Sequence, residues 1–172
     1  MTASAAFDSI SGSGDDFQQV VALCESLHDY CLIGGLAINC YVEPVYTMDA
    51  DFALAAAHLG PVKQRLAALG FKVEDHPHSL NALRAGSQLS IQFTKDERYA
   101  GFPARAELRE TLGVHLRVAC LADLVQAKTW AWSDPKRRLS KRKKDELDLI
   151  RVGEKYPEFI ARLPEAIRHQ LG

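Results

Sequence analysis

Two aspartates one residue apart, Asp49 and Asp51, stand in the apolar run "VYTMDADFAL", with 13 residues between Asp49 and a Gly34-Gly35 pair that ends the apolar run "YCLI". In a strand, residues i and i+2 point to the same side, so Thr47, Asp49 and Asp51 share one face while Met48, Ala50, Phe52 and Leu54 share the other. Two carboxylates roughly 7 Å apart on one strand face repel each other and lose hydration if occluded. A divalent cation relieves both costs, and oxygen-only donors of this kind suit Mg²⁺, which keeps waters and is completed by substrate phosphates. Glycine lets backbone N–H groups approach an anion closely, and a helix starting there adds a partial positive charge. A glycine turn for phosphate beside a carboxylate pair for magnesium describes a nucleoside triphosphate (NTP) site. Each element alone has a structural alternative, a tight strand-to-helix turn for the glycines and a solvated edge-strand face for the acids.

Positioning these residues needs alternating elements, and the sequence supplies them. "DDFQQVVALCESLHD" has the apolar spacing and acidic first turn of an amphipathic helix, and "LAINCYV" reads as a short helix closed by Glu43-Pro44. "GPVKQRLAALG" is a helix with Pro61 near its start and Gly70 at its end. "FKVEDH", "LNALRA" and "QLSIQFT" read as antiparallel strands and "GVHLRVAC" as another, followed by helices from "LADLVQAKTWAW" onward, over 140–152 and over 157–170. The expected class is α+β: a mixed sheet at about 30–119, flanking helices and a helical C-terminal third at about 121–171. Residues 1–14 read as a flexible arm and 15–172 as a single domain.

Composition narrows the classes. The chain has 172 residues, 47% of them hydrophobic and 25% charged. Its apolar runs fall short of the roughly 20 residues of a membrane span, and the four cysteines (Cys24, Cys31, Cys40, Cys120) lack metal-ligand or disulfide-framework spacing. A cytoplasmic protein with free thiols and no membrane partner is expected. The net charge of −1 hides an asymmetry. Basic against acidic residues number 10 against 16 over 1–135 and 11 against 6 over 136–172, with the positive charge concentrated in "KRRLSKRKK", residues 136–144. Such a run is a solvated helix face or a phosphate-binding surface.

"IGGLAINCYV" and "YTMDADFAL" together resemble the core motif of the polymerase-beta-like nucleotidyltransferase superfamily, hG[GS], a short helix, then a strand bearing hDhDh. "LADLVQAK" and "SKRKKDELDLI" further resemble the bacterial AbiEii-type toxin branch, and the likeness covers residues 30 to about 152. It implies transfer of a nucleoside monophosphate (NMP) from an NTP to an RNA (tRNA included) or protein hydroxyl, with two Mg²⁺ ions bridging enzyme and phosphates. A cognate antitoxin protein is a further implied partner.

Carried over by position, the catalytic set is Asp49, Asp51, Lys144 and Asp145, with Asp49 and Asp51 as metal ligands. Gly34, Gly35, Thr47 and Lys128 would bind the nucleotide. Asp145 would orient Lys144 or assist the acceptor hydroxyl, and Asp148 would hold Arg or Lys side chains. One departure matters. The strand "QLSIQFT", where the superfamily places a third metal-site carboxylate, shows Gln88, Ser90 and Gln92 on that face, so one metal bound with the nucleotide is more secure than two. Asp96, Glu97 and Asp145 are candidate substitutes. This motivates an alternative: a degenerate protein of the same fold that binds nucleotide, RNA or a partner without catalysis.

Overall fold

The computed structural model describes residues 14–172; the expected N-terminal arm lies outside them except for Gly14, which opens the first helix. That helix, α1 (Gly14–Glu25), buries Phe17, Val20, Val21 and Cys24, the i, i+3, i+4, i+7 stripe of an amphipathic helix. The fully buried strand β1 (Tyr30–Ile33) runs directly into the five-residue helix α2 (Gly34–Ile38). The glycine pair is therefore the first turn of that helix rather than a bend before it. Helix α2 also ends well before Pro44, earlier than expected, in hydrogen-bonded turns through Val42.

Strand β2 (Asp49–Leu54) is shorter than "VYTMDADFAL" suggests: residues 44–48 are irregular, and Met48 is exposed instead of sharing the buried face of Ala50 and Phe52. Helix α3 (Leu59–Ala68) leads to β3 (Lys72–Asp75), β4 (Ser79–Leu83) and β5 (Ser90–Thr94). Strand β6 (Glu107–Thr111), which the sequence reading missed, forms a hairpin with β7 (Val114–Val118). Helices α4 (Leu121–Ser133) and α5 (Leu139–Lys155) follow. The helix expected over 157–170 is instead a 3₁₀ segment, Pro157–Arg162, and a short α6, Glu165–Arg168. Pro164 separates them, because it lacks the N–H that would continue the ladder.

The seven strands form one mixed sheet in the order β3-β4-β5-β2-β1-β7-β6. As expected, β3, β4 and β5 pair antiparallel; β2 pairs parallel with β5 and antiparallel with β1. The α+β class with flanking helices and a helical C-terminal part is thus observed. Strand β2 lies at the centre, with Phe52 between the rings of Phe93 and Phe17, so the two aspartates at its start are held by the most buried part of the sheet. Helix α5 is tied back to the turn after α2: Lys155 Nζ and the Tyr156 hydroxyl both donate to the Tyr41 carbonyl, at 2.6 and 2.9 Å. No helix among the described residues is long and apolar enough to cross a membrane, and all four cysteines are free thiols.

Candidate functional site

Gly34 has φ +74°, a left-handed conformation that side-chain-bearing residues rarely adopt, and a Cβ there would overlap Asp51 Oδ2. Glycine is thus required twice: by the turn and by the carboxylate packed against it. Register explains the contact, since Ile33 on β1 faces Asp51 on β2, putting Asp51 beside the start of α2. A Cβ on Gly35 would lie 3.8 Å from Thr47 Oγ1, so the second glycine neighbours the third member of the expected strand face.

Around this junction lies a cleft of about 650 Å³. Of the candidates from sequence, Gly34, Gly35, Thr47, Asp49, Asp51, Lys128, Lys144 and Asp145 all line it, as does Asp148. Helix α5 supplies Lys141, Lys144, Asp145 and Asp148 from one face, at spacings of i, i+3, i+4 and i+7.

Electrostatically the cleft has two parts. Burial, then the neighbouring Asp49 charge, push the Asp51 carboxyl up to about 6, against the partial relief of Lys128, Lys141 and Arg137. Among the described residues that carboxylate accepts no hydrogen bond. Lys141 Nζ stands 3.5 Å from Asp49 Oδ2, a loose pair. Two half-buried carboxylates, one without a hydrogen-bond donor and the other with only the long contact to Lys141, beside glycine amides, suit an oxygen-coordinated divalent cation brought in with polyphosphate. The donor set fits Mg²⁺, although no group of three His, Cys, Asp or Glu side chains among the described residues converges on a metal position.

The second part is internally neutralised. Lys128 Nζ lies 2.9 Å from Asp145 Oδ1 and 2.6 Å from Asp148 Oδ2; Arg137 Nε is 2.7 Å from Asp145 Oδ2 and Arg151 Nη2 is 2.6 Å from Asp148 Oδ1. Burial alone would depress the Lys128 ammonium, but the Asp148 and Asp145 carboxylates outweigh it and hold the group above its usual range. Asp145 therefore sits between Lys128 and Arg137 rather than against Lys144, and Asp148 grips Lys128 and Arg151. Lys144 itself is exposed and, among the described residues, has no ion-pair partner.

On β5, where the resemblance led to the expectation of a third carboxylate, the register is observed. Gln92 of β5 is the direct partner of Asp51 and lines the cleft. Asp96 is engaged by Arg98, whose Nε and Nη2 lie 2.9 and 2.6 Å from its Oδ2, and it lines an adjacent cleft. Glu97 lines neither cleft. Trp130 packs among Tyr99, Phe102 and Arg98. Sequence reasoning missed Arg137 as a cleft residue, and Lys141 was read only as part of the basic run; the helical spacing of 141, 144, 145 and 148 was the available signal.

No protein-family model and no curated protein matches the sequence. Similar solved structures exist. Ninety-four per cent of the chain aligns with 100% of ANT(2")-Ia, solved in complex with adenylyl-2"-tobramycin, with a TM-score of 0.64 at 15% identity. Seventy-eight per cent aligns with 94% of the lincosamide antibiotic adenylyltransferase LnuA, lincomycin-bound, with a TM-score of 0.54 at 14% identity. Ninety-three per cent aligns with 99% of an antigenic nucleotidyltransferase-like protein from Paracoccidioides brasiliensis, with a TM-score of 0.52 at 14% identity. At these identities the likeness is one of architecture, and the chain has the nucleotidyltransferase fold.

Proposed function

We propose that the chain is a Mg²⁺-dependent nucleotidyltransferase that moves an NMP from an NTP to a hydroxyl. The acceptor oxygen bonds to the α-phosphorus, the bond from that phosphorus to the pyrophosphate oxygen breaks, and the acceptor proton is released. The observation that carries this reading is the Asp51 carboxylate, poorly compensated by its surroundings, pressed against the Gly34 turn in a cleft lined with cations. Asp49 and Asp51 would hold the ion, which supplies neutralising charge to the phosphates. The Gly34 and Gly35 amides and Thr47 bind phosphate oxygens, and Lys141 and Lys144 offset their charge. Lys128, already committed to two carboxylates, fixes α4 against α5 and contributes field rather than a free ammonium.

The acceptor class rests on the resemblance, which points to RNA or protein, and on the solved neighbours, one in complex with adenylyl-2"-tobramycin and one a lincomycin-bound lincosamide antibiotic adenylyltransferase, which add antibiotics. The test is incubation of the protein with each α-labelled NTP, Mg²⁺ and, separately, total RNA, total protein and hydroxylated antibiotics. Label should pass to one acceptor class, and the Asp49→Asn/Asp51→Asn double variant should neither transfer label nor bind Mg·NTP. A double variant that binds Mg·NTP as the parent does refutes the assignment. Growth arrest on expression, relieved by a co-encoded protein, would support the toxin role.

A second reading, nucleotide binding without transfer, is favoured by Gln92 at the register position facing Asp51. On that reading label stays unincorporated with every acceptor, while Mg·NTP binding still requires Asp49 and Asp51.

A further inference from the structure

Besides its charged residues the cleft is lined by exposed apolar side chains that phosphate or metal binding does not explain. Val45, Tyr46 and Leu147 line it and remain 40%, 53% and 48% exposed. They are three of the eight large hydrophobic side chains left exposed among the described residues, so their convergence on one cleft is a concentration rather than scatter. Their backbone is pinned. Asn39 Nδ2 donates to the Val45 carbonyl at 2.7 Å and Val45 N–H donates back to Asn39 Oδ1 at 3.1 Å. Arg151, held by Asp148, donates to the Glu43 carbonyl just upstream. Tyr46 itself, among the described residues, makes no hydrogen bond or ring contact. A fixed segment thus presents an unpartnered aromatic side chain to the cleft, with Leu147 contributed by α5.

We propose that Tyr46, flanked by Val45 and Leu147, is the nucleobase subsite of the NTP. The inference rests on the reading of the cleft as a triphosphate site. Tyr46 is three residues from Asp49, within about 10 Å along the chain, a separation suited to a base whose phosphates reach the aspartates. Tyr46 adjoins Thr47, which neighbours Gly35, so the base and phosphate ends are set by one short segment. Stacking on an aromatic ring accepts any base, and the apolar flanks provide no hydrogen-bonding code. The subsite therefore binds all four NTPs with similar affinity.

The test is calorimetric titration of the full chain with each Mg·NTP and, separately, with Mg·tripolyphosphate, which has phosphates but no base. Tyr46→Ala should weaken every NTP by about 10- to 100-fold and leave tripolyphosphate unchanged, while Tyr46→Phe should restore NTP affinity. Unchanged NTP affinity in Tyr46→Ala overturns the subsite, as does an equal loss for tripolyphosphate or a loss confined to one base. If the parent binds tripolyphosphate through Asp49 and Asp51 but Tyr46→Ala has no effect, only the base subsite falls. If the parent binds neither ligand, the triphosphate reading falls with it.

Discussion

At the scale of single residues, Asp51 holds two requirements in tension: it is central enough to organise the cleft and poorly solvated enough to resist its own charge. Its carboxyl lies at about 6 in the folded chain against an ordinary 3.8, raised first by burial and then by Asp49. Between those values the folded state retains a proton that the unfolded chain has released, so this group makes stability fall as pH rises through the window, and stability stays lower above it. Asp51→Asn removes the charge and nearly preserves the shape. In EDTA at pH 8 it should raise stability by roughly 1 kcal/mol, about 2–4 °C, after allowance for solvent screening of a half-buried group. Urea unfolding at pH 4 and pH 8 checks this, and equal stability of variant and parent at both values would refute it. Gly34→Ala carries the opposite sign: strained backbone and the overlap with Asp51 should cost about 1–3 kcal/mol, read from the same curves.

At the scale of elements, α4 and α5 form the wall opposite the sheet, and their seam is ionic where it meets the cleft. Lys128, with a side chain 12% exposed, joins Asp145 and Asp148, at 2% and 8%. Buried pairs of this kind add little over well-packed apolar residues, yet removing one partner strands the other. Lys128→Met should therefore lower stability by about 3–5 kcal/mol, and combining it with Asp145→Asn and Asp148→Asn should recover part of the loss. Denaturant midpoints for the single and triple variants test this; a triple variant weaker than Lys128→Met would contradict it. The helix that carries Lys144, Asp145 and Asp148 was legible because helical periodicity is local, and so was the shared strand face of Asp49 and Asp51, whereas the roles of the three helix residues came from the resemblance. Their partners were not legible: Lys128 meets Asp145 across a helix pair, and Arg137 comes from a connecting segment whose path no periodicity encodes. Strand β6 was hidden for a different reason. It is an edge strand of mostly polar residues with Leu108 exposed, and its hairpin turns at Leu112-Gly113, both at positive φ, where Asn-Gly or Asp-Gly would have announced a turn. The basic run 136–144 resolves only in three dimensions. Arg137 and Lys141 pair with Asp145 and Asp49 in the cleft, and Arg142 and Lys143 bond Trp132 O and Glu146 outside it, which favours a grip on triphosphate over a broad RNA-binding face.

At the scale of the whole molecule, the sheet and the C-terminal helices share one buried cluster, with Leu149 and Val152 of α5 and Leu124 of α4 joining the core residues of β1, β2 and β5. A cleft built between two parts works as a preorganised site only if those parts do not separate at low cost. Continuous apolar packing and the bonds from Lys155 and Tyr156 to the Tyr41 carbonyl oppose separation. The chain should then unfold in a single cooperative transition. The two tryptophans allow a direct test, because Trp130 and Trp132 both lie in α4 and their fluorescence reports on the helical third, whereas far-ultraviolet circular dichroism reports on the whole fold. The two melting curves should coincide in EDTA. At a hundredfold excess of Mg·NTP over its Kd both should move up together by about 5–10 °C, because a ligand that bridges sheet and helices stabilises them as one unit. A fluorescence transition that precedes the dichroism transition would mean that residues 121–172 melt on their own, and the cleft would then be assembled by its ligand rather than waiting for it.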